Sequence, residues 1–351
     1  MPEEKIYRVI DANVNRAREG LRVVEEVTRF ILEKPQFTAC LKEIRHNITD
    51  ILRGVPAKKF LFSRNSQDDV GRGLYQPSEG RRDGYRDIIR ANMVRSQEAL
   101  RALEEFSKVI DSHIGEKFKV LRFRLYSLEK EVEESLVRRD KSQFIREWKV
   151  YLILDKRLIG GEDPIEIVKT VAAGGVTAIQ WRDKRDGPQE SIKVISQLQR
   201  CKELKNMSVI VNDRVDLALA SGAAGVHLGQ DDLPLPEARK LLGEKIIGVS
   251  THSKEEALKA EGEGADYISL GPIFPTQTKE DTGPPLGVKK IEEIKKAVEI
   301  PLITIGGINR ANIEEVVAAG ADVVAVASAI LKAQDITVAT KELISRFKKT
   351  S

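Results

Sequence analysis

Cysteine is nearly absent: Cys40 and Cys201 are the only two in 351 residues, and no CxxC spacing surrounds either. That excludes a disulfide framework and the usual zinc sites. No apolar run approaches the length of about 18 residues that a membrane-spanning helix needs. No stretch near the N-terminus has the build of a signal peptide either, so a cytoplasmic location is the expectation. Neither sign of charge prevails. Lys and Arg number 58 against 54 Asp and Glu, a net charge of +4, which gives no reason to expect nucleic acid or a membrane as partner. What is present is length enough for two domains and a large core.

From about Tyr7 to Val137 the pattern is helical. Val14, Ala17, Leu21, Val24, Thr28 and Ile31 recur at intervals of three and four, the seam of a packed helix. Pro35 ends that helix, and a second periodic run from Leu41 to Leu52 is broken by Gly54-Val55-Pro56. The segment 10–31 then returns 79 residues later at 89–110, with ten of 22 residues identical. A further helix, Phe118 to Leu136, completes the second copy. Two related helical hairpins in a four-helix arrangement are therefore expected.

The repeat carries polar residues as well as the seam: Asn13 and Asn92, Arg16 and Arg95, Glu19 and Glu98, Arg22 and Arg101, Glu25 and Glu104, Glu26 and Glu105. A solvated outer face accounts for such charges in most helices. Asparagine favours no helix, though, and its recurrence beside the arginine points to a site. Between the hairpins runs Ser63-Arg-Asn-Ser-Gln-Asp-Asp-Val-Gly-Arg-Gly73, in which Arg64 and the acids up to Asp69 suit either a magnesium-bound phosphate chain or simple solvation. The charged stretch that follows the last helix reads as a connection. The division expected is a helical domain at 1–140, a linker at 141–147 and a second domain at 148–351.

From Val150 the texture changes to short apolar runs alternating with helical segments: Val150–Leu154, Ala178–Trp181, Val209–Val211, Gly225–Leu228, Ile246–Val249, Tyr267–Leu270, Leu302–Ile305 and Val323–Val326. Eight strand–helix units in this length argue for a closed (β/α)8 barrel. The alternative, an open doubly wound sheet, lacks a GxGxxG turn opening its first helix. The fold class expected is thus α/β, a C-terminal barrel preceded by an all-helical domain with an internal repeat.

In a barrel the loops after the strands build the site. After the second strand stand Gln180, Arg182 and Lys184; after the third, Asn212 and Asp213; after the fourth, Gln230, Asp231 and Asp232; the fifth ends at Ser250. The sixth opens into Gly271-Pro-Ile-Phe-Pro-Thr-Gln-Thr-Lys279, where Thr276, Thr278 and Lys279 gather two hydroxyls and an ammonium suited to a phosphate ester. Backbone amides at Gly307 and at Ala327 and Ser328 follow the last two strands, the usual phosphate cradle of this architecture. No nucleophile–base pair is evident, and His227 and His252 read as supporting residues. Two phosphate-handling regions with metal-suited acids describe a site for departure of a diphosphate assisted by Mg2+ and cations rather than by a general base.

The motifs QWRDK (180–184), ND (212–213), GVHLGQDD (225–232), GVS (248–250), GPIFPTQTK (271–279), GGI (306–308) and Ala327-Ser328 stand in an order that resembles the thiamine phosphate synthase family across 148–351. The resemblance implies joining of hydroxymethylpyrimidine diphosphate to a thiazole phosphate by a dissociative route. It implies a pyrimidine diphosphate site at Gln180, Arg182, Lys184 and Asn212 with Ser250 nearby. It also implies Mg2+ on Asp213 and Asp232, with Asp231 an alternative ligand. The thiazole phosphate would sit at Thr276, Thr278, Gly307, Ala327 and Ser328, and Lys279 would reach the leaving diphosphate. More loosely, the repeated ANxxRxxExLRxxEE pattern and the Arg64-to-Gly71 loop resemble a small family of hydroxymethylpyrimidine phosphate kinases. That likeness implies ATP as co-substrate, held without a GxxxxGK[ST] loop, at Asn13, Arg16, Glu19, Arg64, Asp69, Asn92, Arg95 and Glu98. The partners implied are small molecules; a homo-oligomer is left open. The rival readings are a different phosphate-binding barrel enzyme and, for the helical domain, a non-catalytic oligomerisation module.

Overall fold

Two kinds of element divide the chain. The computed structural model describes residues 3–64, 81–185, 187–276, 278 and 283–350. Contacts separate it into Met1–Val137 and Arg138–Ser351.

The first unit is built from α1 (Glu3–Phe30), α2 (Pro35–Ile51), α3 (Ala57–Ser63), α4 (Tyr85–Ser107) and the greater part of α5 (Ser112–Arg146). Ile10, Leu21 and Val24 of α1, Leu41, Ile44 and Ile48 of α2, Met93, Leu100 and Leu103 of α4, and Phe118, Leu125 and Val132 of α5 close into one apolar core. The four long helices are those of the repeat. Helix α1 stops at Phe30, so Ile31, expected in its seam, is 45% exposed. Pro35 is the first residue of α2, where its missing N–H leaves no donor unmet. The short α3 has no sequence period of its own.

The two copies meet along α1 and α4, and the approach is close at Gly20. A Cβ there would lie 2.4 Å from Ser96 Oγ and 2.9 Å from the Asn92 carbonyl oxygen. Ser96 Oγ donates to the Asn92 carbonyl of its own helix at 2.7 Å and shares that hydrogen at 3.3 Å with the carbonyl of Ala17, a contact from one copy to the other.

The second unit is a closed parallel barrel: β1 (Val150–Asp155), β2 (Ala178–Arg182), β3 (Ser208–Asn212), β4 (Gly225–Leu228), β5 (Ile246–Thr251), β6 (Tyr267–Leu270), β7 (Leu302–Ile305) and β8 (Val323–Val326), with β8 pairing back onto β1 at Tyr151 and Ala325. Around it run α6 (Lys156–Ile159), α7 (Pro164–Ala173), α8 (Pro188–Arg200), α9 (Val215–Ser221), α10 (Leu235–Leu242), α11 (Lys254–Gly262), α12 (Val288–Lys295), α13 (Ile313–Ala318), α14 (Ser328–Leu331) and α15 (Ile336–Thr350). The strands are apolar on both faces, as parallel strands covered by helices must be. Leu152 and Leu154 of β1 join the outer layer against the helices, while Tyr151 and Ile153 join an inner cluster with Ala178, Ile210, Ile246, Tyr267 and Ile303. This two-residue alternation brings the last inward residue of each strand to the rim where the loops begin.

Residues 141–146, expected as linker, are instead the end of α5. Their charges are met by acids at the opening opposite the site loops. Lys141 Nζ lies 3.4 Å from Asp266, just before β6, and Arg146 lies 3.2 Å from Asp322, just before β8. Arg146 also donates to the Glu299 carbonyl, and Ile145 and Trp148 enter the inner cluster beside Tyr151. The compact barrel therefore starts ahead of residue 148. A fragment spanning 148–351 is expected to melt roughly 10 °C below one spanning 138–351, because losing Ile145 and the two ion pairs removes about 3 kcal/mol. Thermal unfolding of both fragments checks this, and equal midpoints would mean the helix end contributes nothing. Among the described residues no helix is long and apolar enough to cross a membrane.

Candidate active site

At the rim, β2, β3 and β4 end in charge. Asp213 follows β3 with φ of +62°, a left-handed conformation that Asp and Asn tolerate better than other side-chain-bearing residues. Its amide donates to the His227 carbonyl at 2.8 Å, which fixes it beside β4. Lys184 Nζ lies 3.3 Å from Asp213 Oδ2. Asp232 accepts the Gly229 amide at 2.7 Å and stands beside Asp213. Burial, and then the Asp213 carboxyl, raise the Asp232 carboxyl above its ordinary value, against the pull of the Gly229 amide. Two acids pressed together in this way are relieved by a divalent cation. Among the described residues no three of His, Cys, Asp and Glu gather as a metal site. A pair of carboxylates is nevertheless the donor set suited to Mg2+, which keeps waters and phosphate oxygens as its remaining ligands.

Arg182 is held from below by the last residue of β1. Asp155, 2% exposed, pairs with Arg182 and takes the Arg157 guanidinium on both oxygens at 3.3 and 3.1 Å. Burial pushes the Asp155 carboxyl up, but the Arg157 and Arg182 bonds outweigh it and hold the group below its ordinary value. Arg157 also donates to the Thr278 carbonyl at 3.0 Å, which ties α6 to the segment after β6.

There the hydroxyls converge. Thr276 Oγ1 lies 3.3 Å from Thr278 Oγ1, and Thr278 Oγ1 lies 3.4 Å from Ser328 Oγ at the start of α14. The loop after β7 closes in with Gly307 at φ of +67°, where a Cβ would stand 2.6 Å from the Pro275 carbonyl oxygen. Only glycine fits that approach. Lower in the barrel, Gln180 and Ser250 point inward from β2 and β5, and Asn212 ends β3 half-buried. Lys279 lies outside the described residues.

In the helical unit the repeated polar residues separate into two groups. Glu25, 3% exposed, accepts Arg22 and, from α2, Arg45; Glu104, 3% exposed, accepts Arg101 and, from α5, Arg122. Each copy thus clamps its own hairpin with one buried acid between two arginines. Burial pushes the Glu104 carboxyl up, and the arginine bonds more than offset it. Asn13 is not on the outer face as expected. It is 8% exposed, and its amide donates to the Val9 carbonyl at 2.8 Å, as Asn92 does to Ile88. Arg16, Glu19, Arg95 and Glu98 do stand exposed. Arg64 grips Asp11 through two bonds of 2.6 and 2.9 Å, which fixes the residue that caps α3 to α1. Asp69 lies outside the described residues.

Comparison with known proteins bears on both units. A family model for thiamine monophosphate synthase matches residues 150–330. The thiamine-phosphate synthases of Prochlorococcus marinus subsp. pastoris and Gloeobacter violaceus are each 39% identical, the first over 95% of this chain and 93% of its own length, the second over 95% and 94%. The chain belongs to the thiamine-phosphate synthase family. It is accordingly a transferase of thiamine biosynthesis. The solved thiamine phosphate pyrophosphorylase of Pyrococcus furiosus is 38% identical, covers 59% of this chain and 98% of its own, and superposes with a TM-score of 0.54. The ThiD2 family model matches residues 8–131, within the helical unit.

Within this synthase barrel, the residues named from sequence fall into three groups on one rim: Asp213 and Asp232 with Lys184, Thr276 and Thr278 with Ser328, and Gln180 with Ser250 deeper inside. The sequence does not single out Asp155 and Arg157, because one closes β1 and the other lies in α6 rather than in a loop after a strand. Asp155-Lys156-Arg157 directly after an apolar run was the signal available.

Proposed function

We propose that the barrel joins hydroxymethylpyrimidine diphosphate to thiazole phosphate with Mg2+ on Asp213 and Asp232, and that the helical unit makes the diphosphate from the monophosphate with ATP. The observation that carries the first part is the pairing of two rim acids and a lysine with a separate hydroxyl cluster, one for each phosphorylated substrate. Mg2+ on the acids would neutralise diphosphate charge. Arg182, held by Asp155, and Lys184 would take the charge that develops as the carbon–oxygen bond to diphosphate breaks. The thiazole nitrogen then supplies its lone pair to the pyrimidine methylene carbon. No proton is lost in that step, so no base is called for.

Thr276→Val keeps the volume and removes a hydroxyl from the cluster. It is expected to raise the KM for thiazole phosphate about 10-fold with kcat little changed, since a contact made equally before and during reaction contributes uniform binding. Steady-state kinetics with each substrate varied in turn tests it. An altered pyrimidine KM with the thiazole KM unmoved would reverse the placement of the two substrates.

For the helical unit, the support is the ThiD2 match together with exposed Arg16 and Arg95 and Arg64 held on Asp11. Transfer between two phosphates needs positive charge from several elements more than it needs a base.

A further inference from the structure

The barrel interior holds a chain of hydrogen bonds that runs from Gln180 to Ser250. Gln180 Nε2 donates to Tyr151 Oη at 3.0 Å, and Tyr151 Oη lies 3.3 Å from Tyr267 Oη. Tyr267 Oη is 3.0 Å from His227 Nδ1, and His227 Nε2 is 2.9 Å from Ser250 Oγ. Gln180, Tyr151, Tyr267 and His227 are all at least nine-tenths buried. The path exists because β5 carries Gly248, where a Cβ would stand 1.9 Å from the Tyr267 ring. With that space free, the ring lies stacked on His227 at 5.6 Å between centroids and 19° between planes. Burial pushes both phenols up, so they keep their protons.

The direction of the protons follows from the Gln180 end. Tyr151 accepts from Gln180 and passes its own hydrogen to Tyr267, which donates in turn to Nδ1 of His227. With its ring proton on Nε2, His227 donates to Ser250. That leaves the Ser250 hydrogen, the Gln180 carbonyl oxygen and the second Gln180 N–H, so that the carbonyl oxygen is the only acceptor Gln180 can turn to a ligand. The opposite order requires the buried Gln180 amide to turn over and every member to reverse with it.

We infer that Tyr151, Tyr267 and His227 are positioning residues that fix Gln180 as an acceptor and Ser250 as a donor, so that the site selects a ring carrying an amino group and an unprotonated ring nitrogen over its oxo counterpart. An aminopyrimidine presents that pattern, whereas a pyrimidinone offers an acceptor oxygen and a ring N–H. The inference rests on the placement of the pyrimidine at Gln180 and Ser250 under the proposed function.

The test uses the full chain with Tyr267→Phe, which keeps the ring against His227 and removes only the hydroxyl. The KM for the aminopyrimidine diphosphate is expected to rise about 10-fold while the thiazole phosphate KM stays put. The preference for the amino over the oxo diphosphate, at least about 100-fold in the parent, is expected to fall below about 10-fold, because the Tyr267 hydroxyl no longer holds the His227 ring proton on Nε2. Tyr151→Phe should act the same way, and it serves if the first variant folds poorly. Ser250→Ala and Gln180→Ala run alongside. If these two change the pyrimidine KM and the tyrosine variants change neither KM nor selectivity, the ordered chain is refuted. If none of the four moves the pyrimidine KM, the pyrimidine placement itself is refuted and the inference goes with it.

Discussion

With Asp213 replaced by Asn, formation of thiamine phosphate from the two phosphorylated halves falls by at least about 100-fold, more than is lost when only a residue behind a metal ligand is changed. Added Mg2+ restores part of it, because the variant weakens the ion's hold without closing its place. Asn suits this test because it tolerates the left-handed backbone that Asp213 adopts at φ of +62°, so the loop keeps its shape. Asp232→Asn has the same effect and keeps an oxygen for the Gly229 amide. Initial rates against Mg2+ concentration for the parent and both variants settle the matter. Full activity of the parent in excess chelator sinks the metal reading.

Given the pyrimidine monophosphate, thiazole phosphate and Mg2+, the full chain makes thiamine phosphate only when ATP is supplied. Given the diphosphate instead, it needs no ATP. Arg16→Ala and Arg95→Ala each slow the ATP-dependent step by at least roughly 10-fold, since arginines that stabilise a transferring phosphoryl group are worth more than that. Both side chains are exposed, so stability should move by no more than about 0.5 kcal/mol. The barrel's own reaction is untouched. Phosphorus NMR of the protein with ATP and the monophosphate reads the outcome directly. If no diphosphate forms, the helical unit is a tether or an oligomerisation module.

The barrel was legible because each of its strands is a short apolar run set off by polar turns, and four of the eight have the bounds read from sequence. The others run one or two residues longer, into Asp155, Arg182, Asn212 and Thr251, where polar side chains continue the strand as rim residues. That Asp213 and Asp232 come together at the rim was legible by the same route. The ordered chain through Tyr151, Tyr267 and His227 was not, since its members are far apart in sequence and each looks like an ordinary core residue alone. In the helical unit, charge pattern misled in both directions. Glu25 and Glu104 look solvated in sequence but are buried, because a second arginine arrives from the neighbouring helix. The end of α5 looks like a solvated connection but is helical, because Asp266 and Asp322 wait for its cations.

Gly20 and Ser96 make the two halves of the helical unit unlike each other in a way that matters for their history. The counterpart of Gly20 in the second copy is Ala99, and the counterpart of Ser96 in the first is Ala17. A unit assembled from two second copies would drive an alanine methyl into the Ser96 hydroxyl, where only 2.4 Å is available. One assembled from two first copies would lose that hydroxyl and its bond to the Ala17 carbonyl. The second hairpin therefore cannot stand in for the first, whereas the first could replace the second at the loss of one hydroxyl. A forebear in which one hairpin paired with its twin through this contact would have needed the glycine of the present first copy.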